Sequence, residues 1–127
     1  GISDSIPLKY LESVGYDRNV VILTQPMGYE KKKNKALPLM KAAYSQYPDL
    51  LKTMARRQDV YNETTAYIRE KERRGEVFVI RPEAVLKIKR VEHDRAKIQA
   101  VYDQGRAVAR KRLSALREFL QKEGKAT

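Results

Sequence analysis

Cysteine is absent from this 127-residue chain, and histidine occurs once, at His93. No disulfide can form, and thiolate or multi-histidine metal sites are excluded. No stretch approaches the ~20 consecutive apolar residues of a membrane-spanning helix. A P-loop, a dinucleotide-binding glycine pattern and an H-E-x-x-H motif are all missing. No metal and no cofactor is therefore expected. An initiator Met is missing as well, because the chain opens on Gly1. The length suffices for one domain with a core.

Negative charge is scarce relative to positive. The net charge is +11, from 27 Lys+Arg against 16 Asp+Glu. The first 24 residues carry two cations and three anions, whereas residues 25–47 carry five and one. Residues 76–127 carry thirteen and seven. The excess gathers at Lys31-Lys32-Lys33, Lys35, Arg56-Arg57, Arg73-Arg74, Lys87-Lys89-Arg90 and Arg110-Lys111-Arg112. Such a surface favours anionic partners, namely lipid headgroups, nucleic acid or acidic substrates. The plain alternative is a solvated surface with no partner.

Periodicity places the elements. Ser3, Asp4 and Ser5 suit a helix N-cap, and Pro7 suits a first turn. Ser5 is expected to cap a helix over 6–14 that Gly15 ends. Val20 to Leu23 is an unbroken apolar run and reads as a strand buried on both faces. A basic loop follows, with Lys31, Lys32, Lys33 and Lys35 and no apolar anchor, expected to be exposed and mobile. A short helix is expected over 37–44. A longer one, opening at Pro48 and closing at Gly75, carries the stripe Leu51, Met54, Gln58, Tyr61, Thr65 and Ile68. Val77 to Ile80 reads as a second strand, parallel to the first and close to it. The segment Val85 to Val91 is either an edge strand or simply extended. The last helix is expected from Asp94 to Lys122, with Asp94 as N-cap. Gly105 lies on its apolar stripe, where glycine costs ~1 kcal/mol. A close approach to another element would explain it. Most of the eight tyrosines fall on or near these stripes and are expected at the core or its rim.

The order of elements is an α/β pattern. Two short buried strands make a poor sheet alone, because a parallel sheet wants neighbours and helices on both faces. The chain thus reads as the trailing edge of a larger sheet.

Catalytic constellations are lacking. Gly1-Ile2-Ser3-Asp4-Ser5 begins like the nucleophile elbow G-x-S-x-G but ends in Ser5 and follows no strand. Glu92, His93 and Asp94 are adjacent, but Asp94 is more simply a cap. Glu63 and Glu70 read as partners for cations on a solvated face. No base, nucleophile and oxyanion hole come together.

The stretches "GISDSIP", "NVVILTQPMGY", "VYNETTAYI", "FVIRPE", "LKIKRVEHD" and "VYDQGRAVA", in this order, resemble the C-terminal part of bacterial patatin-like phospholipases. The resemblance covers essentially the whole chain. In that family a Ser in G-x-S-x-G works with an Asp from a later D-G-G or D-G-A motif, without His. The Asp accepts the Ser proton, and backbone N–H groups hold the oxyanion.

The resemblance makes Gly1 the remnant of the Asp-Gly-Gly motif, with Ser3, Asp4 and Ser5 as a helix cap beside the site. Nucleophile, oxyanion loop and Asp would all lie upstream, so the chain holds no catalytic residue and is inactive alone. The implied fold for residues 1–127 is the trailing, C-terminal portion of a patatin-like three-layer α/β domain, helix-rich with two short parallel strands. The implied partners are the N-terminal catalytic portion of the same protein and its lipid ester substrate. An anionic membrane surface, contacted through Lys31, Lys32, Lys33 and Lys35, is the third. The implied location is the bacterial cytoplasm or the membrane periphery. The competing reading is a free-standing basic α/β module that binds nucleic acid or another anion. Nucleic acid is the less favoured partner, because the tyrosines are accounted for by packing.

Overall fold

Gly15 and Gly75 stop two helices in the same way. Each sits at positive φ, 99° and 71°, which a side chain would strain. At the first, the Gly15 N–H donates to Glu12 C=O and the Tyr16 N–H to Leu11 C=O, at 3.1 and 3.0 Å. At the second, Gly75 donates to Glu72 and Glu76 to Lys71, at 2.9 and 3.0 Å. Both are Schellman closures, and each turns the chain directly toward a strand.

The computed structural model describes residues 3–122. Helix α1 spans Leu8–Ser13, strand β1 Asn19–Ile22, helix α2 Leu37–Ala43 and helix α3 Pro48–Arg73. Strand β2 spans Val77–Ile80, and helix α4 Arg95–Gln121. The two strands pair in parallel, with Asn19 opposite Val77 and Ile22 opposite Ile80. The Leu23 N–H extends the ladder by donating to Ile80 C=O at 2.8 Å. The expected α/β class, parallel pairing and long helices are all present. Pro38 and Pro48 both lie in first turns, where the missing N–H costs nothing.

The core lies on one face of this small sheet. Val21, Val77 and Val79 pack there with Leu8 of α1 and Ile68 of α3, and Ile6, Leu23 and Tyr67 close its rim. A polar strap joins the same elements. The Tyr67 hydroxyl donates to Glu12 Oε2 at 2.5 Å. Lys71 Nζ lies 3.3 Å from Glu12 and 2.7 Å from Glu76. The bond to Glu12 holds the Tyr67 hydroxyl above its ordinary pKa. On the opposite face α4 lies against β2. Phe119 stacks at a tilt on Phe78, 5.7 Å between centroids, and the Arg112 guanidinium sits 4.5 Å from the Phe78 ring. Arg18 reaches the end of α4 and donates to Leu120 C=O at 2.6 Å.

Several expectations are corrected. β1 is not buried on both faces: Asn19 and Val21 are buried, but Val20 and Ile22 are exposed. The reason is that α4 covers β2 and stops short of β1. Among the described residues, 85–91 form no strand: the Ile88 N–H donates to Leu86 C=O at 3.0 Å, and the chain bends at 90–91. The last helix begins with its Asp94 cap in place, the carboxylate accepting from Ala96 and Lys97 N–H. Its apolar stripe is nevertheless mostly open, with no residue fully buried. A Cβ on Gly105 would meet nothing within 4 Å, so no close approach occurs there. Tyr10, Tyr16, Tyr44, Tyr47 and Tyr102 are exposed, leaving Tyr29, Tyr61 and Tyr67 as the half-buried rim.

Glu70 behaves as the sequence suggests. It accepts from Arg73 at 2.7 and 3.1 Å and from Arg74 at 2.9 Å. The Arg73 bonds chiefly, then those of Arg74, push its carboxyl down to about 2 from 4.5. A group whose folded pKa is depressed stabilises the fold above the unfolded value and stops doing so as pH falls through the folded one. The Glu70 contribution is therefore complete above about 4.5 and lost toward about 2. Solvent screening keeps it small. Urea midpoints of the parent and Glu70→Gln should differ at neutral pH and converge across that window.

Candidate anionic-surface site

The segment entering α1 carries three of the residues singled out from the sequence. Ser3, Asp4 and Ser5 are all exposed. Only Asp4 engages the backbone: its Oδ1 accepts the Ile6 N–H at 3.0 Å. Ser5 does not cap α1, whose N-cap is Pro7 with no side-chain bond. The Asp4 turn is satisfied two residues on. It therefore spends the capping interaction before the helix starts, and α1 begins at Leu8. Gly1 lies outside the described residues.

The other reactive-looking carboxylates are also occupied by backbone. Glu92 Oε1 accepts the His93 and Asp94 N–H groups at 3.1 and 3.2 Å. The Asp94 N–H is the main reason its carboxyl lies below the usual range. Asp94 Oδ1 accepts from Ala96 at 2.9 Å. Among the described residues no group of three His, Asp or Glu could hold a metal ion. A depression lined by Leu23, Met27, Tyr29, Tyr61 and Arg81 offers about 20 Å³, room for about one water and not for an acyl chain.

The basic loop is where the geometry departs most from the sequence reading. Lys32, Lys33 and Lys35 are exposed as expected. Lys31 is half-buried and firmly anchored. Its backbone N–H donates to Asn62 Oδ1 at 2.7 Å, and its C=O accepts from Asn62 Nδ2 at 3.1 Å. One side-chain amide on α3 thus satisfies both backbone groups of Lys31, as a neighbouring strand would. The Lys31 ammonium lies 5.3 Å from the Tyr61 ring centre, and Tyr29 meets Tyr61 edge-on at 6.3 Å. The expectation of a loop without an anchor is corrected by this clamp. Asn34 then starts α2, its Oδ1 accepting the Ala36 N–H at 3.0 Å and its C=O the Leu37 N–H at 3.1 Å.

Burial, followed by the charges of Arg57 and Arg90, holds the Lys31 ammonium below its ordinary pKa. Sequence reading missed Asn62. A helix-interior Asn is a weak helix former whose amide must earn its place, and that was the available signal.

No helix among the described residues is long and apolar enough to cross a membrane. Near an anionic surface each Lys contributes ~1 kcal/mol.

A family model described as "Domain of unknown function (DUF6363)" matches residues 47–121. The match runs from the residue before α3 to the end of α4 and covers more than half of the chain. β1 and the Lys31–Lys35 loop lie outside it. Comparison with curated proteins gave no match, and neither did comparison with solved structures.

Proposed function

This chain belongs to the DUF6363 family, and from that premise we propose that it serves as the C-terminal part of a patatin-like lipid acyl hydrolase. In this reading it supplies no catalytic group. It completes the sheet of an N-terminal portion that holds the Ser-Asp dyad, and its basic loop faces anionic lipid. The observation that carries the reading is the half-covered parallel sheet. Parallel sheets are built with both faces covered and with several strands. Among the described residues the sheet has two strands, and Ile22, opposite Ile80, is 73 % exposed on the face where α4 covers Phe78. A further layer and further strands would satisfy both features, as they would in a three-layer α/β domain. The resemblance of "NVVILTQPMGY" and "FVIRPE" to that family falls on these two strands and the turns that follow them.

The reading frame encoding the chain tests the proposal. A G-x-S-x-G elbow upstream and an Asp-Gly immediately before Gly1 are expected. Their absence would overturn the reading and leave a free-standing anion-binding module. The purified chain is also expected to give no p-nitrophenyl ester turnover. Turnover abolished by both Ser3→Ala and Ser5→Ala would instead place a nucleophile in the entry segment.

A further inference from the structure

We propose that α4 docks along an anionic lipid surface, with its open apolar stripe in the acyl boundary and a row of arginines on the headgroups. The proposal goes beyond the basic loop, and it holds whether or not the hydrolase reading does. One side of α4 packs on β2. Phe119 meets Phe78 there, and Arg112 lies on the Phe78 ring and donates to Val79 C=O at 3.4 Å. Beside that contact, Ile98, Tyr102, Ala109, Leu113 and Leu120 recur at steps of four and seven, and all are exposed. This spacing keeps them in one line along a helix. At 1.5 Å per residue the line runs for ~33 Å. Arg106 follows Tyr102 by one turn, and Arg110 and Arg117 stand one turn to either side of Leu113. The three therefore border the stripe, and all are exposed. The Arg106 guanidinium lies 5.7 Å from the Tyr102 ring centre, and its Nη1 donates to the Tyr102 hydroxyl at 3.2 Å. Asp103, on the same side of α4, accepts from Gln99 at 3.0 Å. Among the described residues no carboxylate lies within ion-pair distance of these three arginines.

Seven residues of α4 are Lys or Arg and two are acidic. That charge selects an anionic partner, and it disfavours a second copy of the same helix, which would set like charge against like. The apolar line then selects among anions. Nucleic acid offers phosphate but no hydrocarbon in which to bury an aliphatic row. A lipid surface offers both, and a helix lying in its plane sets apolar side chains below the headgroups and cations among them. Arginine forks suit phosphate oxygens, and a tyrosine ring with a wet hydroxyl suits the boundary. The Asp94 cap and the packing on β2 hold α4 helical before contact, so docking carries no cost of helix formation.

The chain contains no Trp, so a single introduced one reports its own surroundings. The full chain carrying Leu113→Trp is mixed with phosphatidylglycerol vesicles, with phosphatidylcholine vesicles at equal salt as the reference. Its emission is expected to shift to the blue with the first only, and brominated acyl chains should quench it. Ser114→Trp, about 100° further round the helix, should stay unshifted. Co-sedimentation gives the affinity. Arg106→Gln/Arg110→Gln/Arg117→Gln should lower it by about a hundredfold, and Leu113→Ser by about tenfold. Lys32→Gln/Lys33→Gln/Lys35→Gln removes the same charge and should lower it far less. All these positions are exposed, so each variant should keep the parent circular dichroism. Vesicle binding without a blue shift at Leu113→Trp would overturn the proposal. So would a loop variant that loses as much affinity as the arginine variant. Tighter binding to duplex DNA, lost with the arginines and indifferent to Leu113→Ser, would make this a nucleic-acid surface instead. Absence of vesicle binding would overturn the docking of α4 and leave the hydrolase reading to be decided by the reading frame.

Discussion

Ile68→Ala is expected to destabilise the chain by about 2–5 kcal/mol, a large share of the stability of a domain this size. Ile68 is fully buried, at 0 % exposure, and it is the α3 member of the core cluster. Its neighbours there are Leu8, Val21, Val77 and Val79, from three other elements. Truncating it removes apolar contact from all of them at once. The site cannot collapse cheaply, because α3 is also tied to α1 through Tyr67 and Glu12 and to the loop through Asn62 and Lys31. The strands bring only short Val side chains to this face, so the sheet itself offers little to refill the space. Ile98→Ala is the matched control. Ile98 stands on α4 at 45 % exposure, and losing its methyl groups should shift stability by no more than about 0.5 kcal/mol. Urea unfolding of the two variants and the parent, followed by circular dichroism, checks both values. Equal effects would mean that the core is not organised around Ile68.

Local signals made the helices and strands legible in the sequence. Gly15, Gly75 and Asp94 mark termini by a mechanism that needs only a few neighbouring residues, and all three act as expected. The runs at Val20 and Val77 pair in parallel because the helical stretch between them is long enough to cross over. Ser5 failed as a cap because Asp4, one residue earlier, takes the local N–H first. The remaining misses are long-range. Lys31 and Asn62 lie 31 residues apart, and no periodicity connects them. Arg90, whose charge lowers the Lys31 pKa, lies in a segment outside helix and strand with no repeating pattern to place it. The open stripe of α4 has a different cause. Ile98, Tyr102 and Leu113 follow the spacing of a buried helix face, yet among the described residues the element that α4 packs on with more than slight contact is β2. Amphipathic spacing reports that a face suits burial, not which partner buries it.

The same distinction underlies the expected behaviour of Ile22→Asp. Ile22 is 73 % exposed and Val20 38 %, both on the face of β1 that α4 leaves open. Within the isolated chain an Asp at position 22 meets water, so stability should fall by no more than the ~1 kcal/mol span of strand propensity. The outcome changes if a further layer covers this face. A carboxylate would then be buried without a partner, at a cost of several kcal/mol, which corresponds to a loss of association of a hundredfold or more. On the proposed function, the measurement is co-purification of the chain with the N-terminal portion that the proposal calls for, the two expressed as separate polypeptides. The parent chain should be retained, Ile22→Asp should be lost, and Ile98→Asp on the open stripe of α4 serves as a second probe. Loss with Ile22→Asp alone would place the proposed further layer over β1. Loss with Ile98→Asp alone moves it to α4. Retention of both variants at the parent level would mean that neither open face is the docking surface, and the half-covered sheet would no longer support assembly into a larger α/β domain.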